Sequence, residues 1–91
     1  MNEKIIERKL AQSVKKANGL AIKFLPFAFT GFPDRIVLMP GARIWFVELK
    51  STGQKLRPRQ EVVIAWLRKL GFNVWVIDTQ ELLDNFLNEI R

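Results

Sequence analysis

PDRIVLMPGARIWFVELK, residues 33–50, decides the fold. Pro40-Gly41-Ala42 divides it, because proline and glycine punctuate strands. The flanking stretches, 33–39 and 43–50, read as two strands of a hairpin. A turn of three residues places Met39 opposite Arg43, so that facing positions add up to 82. Asp34 and Glu48 meet the same condition. They stand across from each other on one face of the sheet, with Cβ atoms roughly 4.5–5.5 Å apart. Strand alternation gives that face Ile36, Leu38, Ile44 and Phe46, expected in the core, and then Lys50. Trp45, Val47 and Leu49 take the opposite face. A turn of two or four residues would shift the register by one and undo the pairing.

Two carboxylates ~5 Å apart repel by ~3 kcal/mol at an effective dielectric near 20. A hairpin does not need that conflict. A bound divalent cation would reverse its sign, and a shared proton would relieve it. Asp34, Glu48 and Lys50 therefore converge where a metal and a phosphate could meet. The spacing by itself equally allows a solvated ion pair at a sheet edge.

Periodicity extends the reading in both directions. Residues 2–18 form a predicted helix, with Ile6, Leu10, Val14 and Ala17 at steps of three and four and a stop at Asn18-Gly19. A short strand over 20–25 ends at Pro26, and an aromatic loop with Phe27, Phe29 and Phe32 follows. Residues 51–57 are a basic loop. Pro58 opens a helix reaching Leu70, with Val63, Leu67 and Leu70 inward. Residues 73–77 form a strand, and Asp78 with Glu81 resembles a capping box for a last helix to about Glu89. The order is α-β-β-β-α-β-α. It predicts an α/β fold with a mixed four-stranded sheet flanked by helices, and residues 43–77 as a right-handed βαβ unit. Residues 1–91 make one domain.

Composition narrows the chemistry. The chain has no His, Cys or Tyr. That excludes histidine general bases, Ser-His-Asp triads, cysteine nucleophiles, His/Cys zinc sites and tyrosine-linked strand transfer. Reactions must rest on Asp, Glu, Lys, Arg, Ser and Thr, and carboxylate oxygens favour hard cations such as Mg²⁺ or Mn²⁺. A net charge of +6 points to a polyanionic partner. No signal peptide and no membrane-length apolar run is visible, so an intracellular, cytoplasmic location in a bacterium or phage-infected cell is expected.

The residues resemble a known family. Gly31-Phe32-Pro33-Asp34-Arg35, Phe46-Val47-Glu48-Leu49-Lys50, the Gly53-Gln54-Lys55 loop and Gln60 are similar to the VRR-NUC family of the PD-(D/E)XK nuclease superfamily, in its stand-alone phage type. A bare Pro-Asp followed by Glu-x-Lys is a weak motif, and the flanking residues make it specific. The resemblance spans about Glu7 to Asp78 and implies a restriction-endonuclease-like core. It implies that Asp34, Glu48 and the Leu49 carbonyl hold Mg²⁺ (Mn²⁺ also suits). Lys50 would orient the attacking water or stabilise the transition state. Glu7 would be the acid from the first helix, with Glu3 a competitor, and Gln60 a supporting polar residue. It further implies a homodimer acting on branched DNA such as four-way (Holliday) junctions.

Lys55, Arg57 and Arg59 are candidate phosphate contacts at the end of the active-site strand, as is Arg35 beside Asp34. The Phe27/Phe29/Phe32 loop could stack on unpaired bases or wedge a junction, although a core or dimer role is the commoner use of such residues. Two other functions stay open: a non-catalytic basic DNA-binding module, and a restriction-type endonuclease. The first would not need the acids. The second would usually need recognition segments for which 91 residues leave little room.

Overall fold

Asn2 starts the first helix by accepting the Ile5 N–H at 3.0 Å. In the computed structural model, which describes residues 1–91, α1 runs Glu3–Lys16. The strands are β1, Leu20–Lys23, β2, Arg35–Met39, β3, Arg43–Leu49, and β4, Val74–Ile77. Helix α2 is Pro58–Lys69 and α3 is Gln80–Ile90. The element order is the predicted one. The sheet runs β1-β2-β3-β4, antiparallel except for the parallel β3–β4 pair.

The three-residue turn holds. Gly41 and Ala42 take positive φ angles of 84° and 59°, and Met39 pairs with Arg43, Ile36 with Phe46 and Arg35 with Val47. Alternation then sorts β3 as the sequence predicts. Trp45, Val47 and Leu49 enter a core closed by α1 and α3, while Phe46 joins Ile64 and Val74 beneath α2.

Several local expectations need correction. At the Asn18-Gly19 stop it is Asn18 that takes the left-handed conformation, at φ 65°. Gly19 is needed for closeness instead, since a Cβ there would lie 2.3 Å from Met39 Sδ. Leu38 and Ile44 are not core residues, because α2 covers the β4 side of the sheet and leaves them exposed. Leu70 points outward, past the end of α2. Thr79, not Asp78, caps α3 by accepting the Leu82 N–H, while Asp78 accepts from Thr52 and Gly53 in the basic loop. The three tryptophans divide between covered and open positions. Trp45 is buried and Trp75 half-buried, and both indole N–H groups donate to Glu89 Oε2, at 2.8 and 3.1 Å. Trp66 stays exposed.

Candidate active site

Pro33 ends the β2–β3 ladder. By the hairpin register it stands opposite Leu49, and it has no N–H to offer the Leu49 carbonyl. The Leu49 N–H turns instead to Asp34 Oδ1, at 3.2 Å. In return the Asp34 N–H donates to Glu48 Oε1, also at 3.2 Å. The two acids thus replace the missing ladder with side-chain bonds, and each fixes the other's position.

Glu48 is only 4 % exposed, and Asp34 is half-buried. Burial raises the pKa of Asp34 above the ordinary carboxylate range, against the lowering effects of Arg35 and the Leu49 N–H. Burial likewise raises Glu48, and the neighbouring Asp34 charge raises it further, opposed by Lys50. Desolvated carboxylates in mutual repulsion favour a cation between them. Lys50 supplies part of that charge, with Nζ 3.5 Å from Glu48 Oε2.

Gln60 ties the pair to α2. Its Oε1 accepts the Arg57 N–H at 2.9 Å at the start of that helix, and its Nε2 donates to Glu48 Oε2 at 3.1 Å. One amide therefore settles a free helix-end donor and orients the carboxylate. Asp34, Glu48, Lys50, Gln60 and Arg57 line one open cleft of about 380 Å³, whose other wall is the aromatic loop.

The donor set suits a hard divalent cation: two carboxylates and a carbonyl facing a proline, all oxygen. No three acidic side chains are placed to share one metal ion. Glu7 accordingly stands apart from the pair and reaches it through Arg35. The Arg35 guanidinium lies 2.8 Å from Glu7 Oε2 and 3.2 Å from Asp34 Oδ2, and it donates to the Asp34 carbonyl at 2.9 Å. Of the two helix acids it is Glu3 whose charge helps raise the Asp34 pKa.

Arg35 is the main correction among the site residues. It is 4 % exposed and engaged with two carboxylates, so it is not a phosphate contact. Strand alternation held the signal: Arg35 shares its face with Val37 and Met39, the side packed on α1, opposite the side of Asp34. Lys55 and Arg57 are exposed, and Arg57 borders the cleft. Arg59 is exposed but occupied, with its guanidinium 5.3 Å from the Phe29 ring centre and Nε donating to the Thr30 carbonyl. Phe32 packs edge-on against Phe24, Phe29 and Phe46, so it belongs to the fold, whereas Phe27 has no packing partner.

Comparison with known proteins bears on this arrangement. The model of the VRR-NUC domain family matches residues 3–81. The provisionally named nuclease p44 of Acyrthosiphon pisum secondary endosymbiont phage 1 is 42 % identical over 82 residues, covering 90 % of this chain and 88 % of that protein. A solved VRR_NUC domain superposes with a TM-score of 0.89 at 28 % identity, covering 98 % of this chain and 97 % of the other.

Proposed function

The chain belongs to the VRR-NUC family and has the PD-(D/E)XK nuclease core, and from that premise we propose that it hydrolyses phosphodiester bonds in branched DNA with a bound Mg²⁺ or Mn²⁺. One observation carries the reading. Two desolvated carboxylates with raised pKa values, Glu48 buried and Asp34 half-buried, fix each other at a broken ladder end, beside a lysine and in an open cleft bordered by Arg57.

Asp34, Glu48 and the Leu49 carbonyl would hold the ion. When bound, such an ion activates a water and neutralises charge on the phosphate oxygens. The chain's own groups do the rest. Lys50 orients the attacking water or stabilises the charge that develops on phosphate. Gln60 keeps Glu48 turned toward the cleft. Arg35 braces Asp34 from the α1 side, with Glu7 as its second anchor. Arg57 and Lys55 meet backbone phosphates, a contact that does not depend on sequence. A purely DNA-binding module would gain nothing from two desolvated acids, which repel the ligand.

The unpaired apolar surface supports a homodimer. Val62, Trp66 and Leu70 form an exposed stripe on and just beyond α2, and Leu20, Leu38 and Ile44 form an exposed apolar row across β1, β2 and β3. Contiguous apolar surface of this kind commonly marks an interface. Two-fold symmetry would also supply the two cuts that resolving a four-way junction requires.

The test incubates the protein with labelled four-way junction, flap, single strand and duplex, with Mg²⁺, Mn²⁺ or EDTA. Metal-dependent cleavage of branched substrates is expected, with paired nicks on the junction. Light scattering without DNA should give about twice 10.6 kDa. Cleavage that persists in excess EDTA would overturn the metal mechanism. A strict monomer giving only single nicks would remove junction resolution and leave the nuclease.

A further inference from the structure

Phe27 is the most exposed apolar side chain in the protein, at 106 % of its reference area. It sits at the tip of the loop between β1 and β2, beside Pro26, which itself lines the cleft holding Asp34 and Glu48. A bare phenyl ring in water is unfavourable, and nothing in the fold requires it there. We propose that Phe27 is a wedge that stacks on an unpaired or unstacked base at the branch of a DNA substrate, next to the phosphate to be cut. This assignment rests on the reading of the protein as a nuclease of branched DNA.

The loop is built to present that ring. Phe32 roots it by edge-on contacts to Phe24 at 5.5 Å, Phe29 at 6.1 Å and Phe46 at 5.3 Å. Arg59 clamps it from α2, lying over Phe29 and bonding the Thr30 carbonyl at 3.3 Å. Gly31 lets the two backbones close, since a Cβ there would come within 2.7 Å of Arg59 Cγ. The base of the loop is therefore fixed while its tip is free. Little ordering cost remains when the tip meets a ligand.

Charge and position select the ligand. The cleft beside the tip is edged by Arg57 in a chain of net charge +6, which suits a polyanion. The apolar surfaces available to a second copy lie elsewhere, on α2 and the open sheet row. Every base offers a π-face to an aromatic ring, whatever the sequence. Within a continuous duplex those faces are covered by neighbouring base pairs. They are free only at a branch, gap or end, so a wedge at this place favours branched DNA over linear duplex.

The experiment compares wild type, Phe27→Ala and Phe27→Trp for binding in EDTA to a four-way junction and to linear duplex of matching sequence. A second junction carries 2-aminopurine at the branch. The ratio of junction to duplex affinity should fall about 5- to 150-fold in Phe27→Ala, the span of one lost base–aromatic stack, and should recover in Phe27→Trp. The 2-aminopurine emission should change on binding wild type and Phe27→Trp but not Phe27→Ala. An unchanged ratio in Phe27→Ala overturns the wedge, while the wild-type cleavage assay with metal still decides the nuclease reading separately. A shift of Phe27→Ala to lower mass in light scattering overturns it as well, by making the tip a protein contact.

Discussion

One face of the sheet closes over thirteen buried apolar residues between α1 and α3, whereas the face under α2 closes over three. The two faces share the same strands and differ in use. The α1/α3 side holds fully buried Ile6, Leu10, Phe86 and Leu83 and supplies most of the burial. The α2 side carries Asp34, Glu48 and Lys50 at one end and exposed Leu38 and Ile44 at the other. Stability concentrated on one side lets the other bear repelling acids and unpaired apolar groups. Only Arg35 crosses, rooted in the stable face and gripping a carboxylate of the other.

The sharpest way to break the contrast is to separate activity from stability. Asp34→Asn or Glu48→Gln should lower cleavage by about 10³-fold or more, through loss of metal-borne transition-state stabilisation. The circular dichroism spectrum should stay that of the wild type. Full activity in either purified variant would remove these acids from the chemistry.

Next comes a pair of core substitutions read by urea unfolding. Phe86→Ala should cost about 3–5 kcal/mol, much of what a small domain possesses. Leu38→Ser, on the open face, should change the unfolding free energy by no more than about 0.5 kcal/mol when read at protein concentrations too low for dimerisation. A loss at Leu38 that grows with protein concentration would place this face in the dimer contact, and a large loss independent of concentration would mean that the fold itself covers it.

Glu7→Gln probes the residue that joins the faces. With Glu7 neutral, Arg35 has Asp34 as its only anionic partner and competes more strongly with a cation. Affinity for Mn²⁺ by titration calorimetry should fall roughly tenfold, as it does when residues behind metal ligands are altered. Equal or tighter binding would show that Glu7 and Arg35 do not govern Asp34.

The smallest effect expected is on pH. Asp34 and Glu48 have folded pKa values raised above 3.8 and 4.5. Below those values the metal-free fold has their full contribution, and it loses that contribution as pH rises through the raised values. Relative to Asp34→Asn/Glu48→Gln, the wild-type melting temperature in EDTA should thus decline as pH rises above the ordinary carboxylate values. Mg²⁺ should reverse the trend. A wild type that gains on the variant as pH rises in EDTA would contradict the raised pKa values.

Much of this arrangement was legible in the chain, for identifiable reasons. Pro40-Gly41-Ala42 fixed a three-residue turn, and that turn alone aligns Asp34 with Glu48. Pro58, Asn2 and the apolar steps of α1 marked the helices. Tertiary context hid the remainder. Arg35 looked like a DNA contact beside a catalytic acid, although its strand face already pointed to α1. Leu38 and Ile44 alternate like core residues, and only the lateral position of α2 leaves them bare. Asp78 and Thr79 could each cap a helix, and the tether to Thr52 and Gly53 decided between them.

Tryptophan placement gives each face its own optical signal. Trp45 and Trp75 share Glu89 Oε2 and stand edge-on to Phe86 on the α1/α3 side, Trp45 buried and Trp75 half-buried. Trp66 sits on the outer surface of α2. A soluble quencher such as iodide should reach Trp66 most readily, Trp75 less, and Trp45 only when the core opens. With Trp66→Phe, intrinsic emission would report only on the stable face. With Trp45→Phe/Trp75→Phe, it would follow α2 alone, so that dimerisation or DNA docking on that side could be watched without a label.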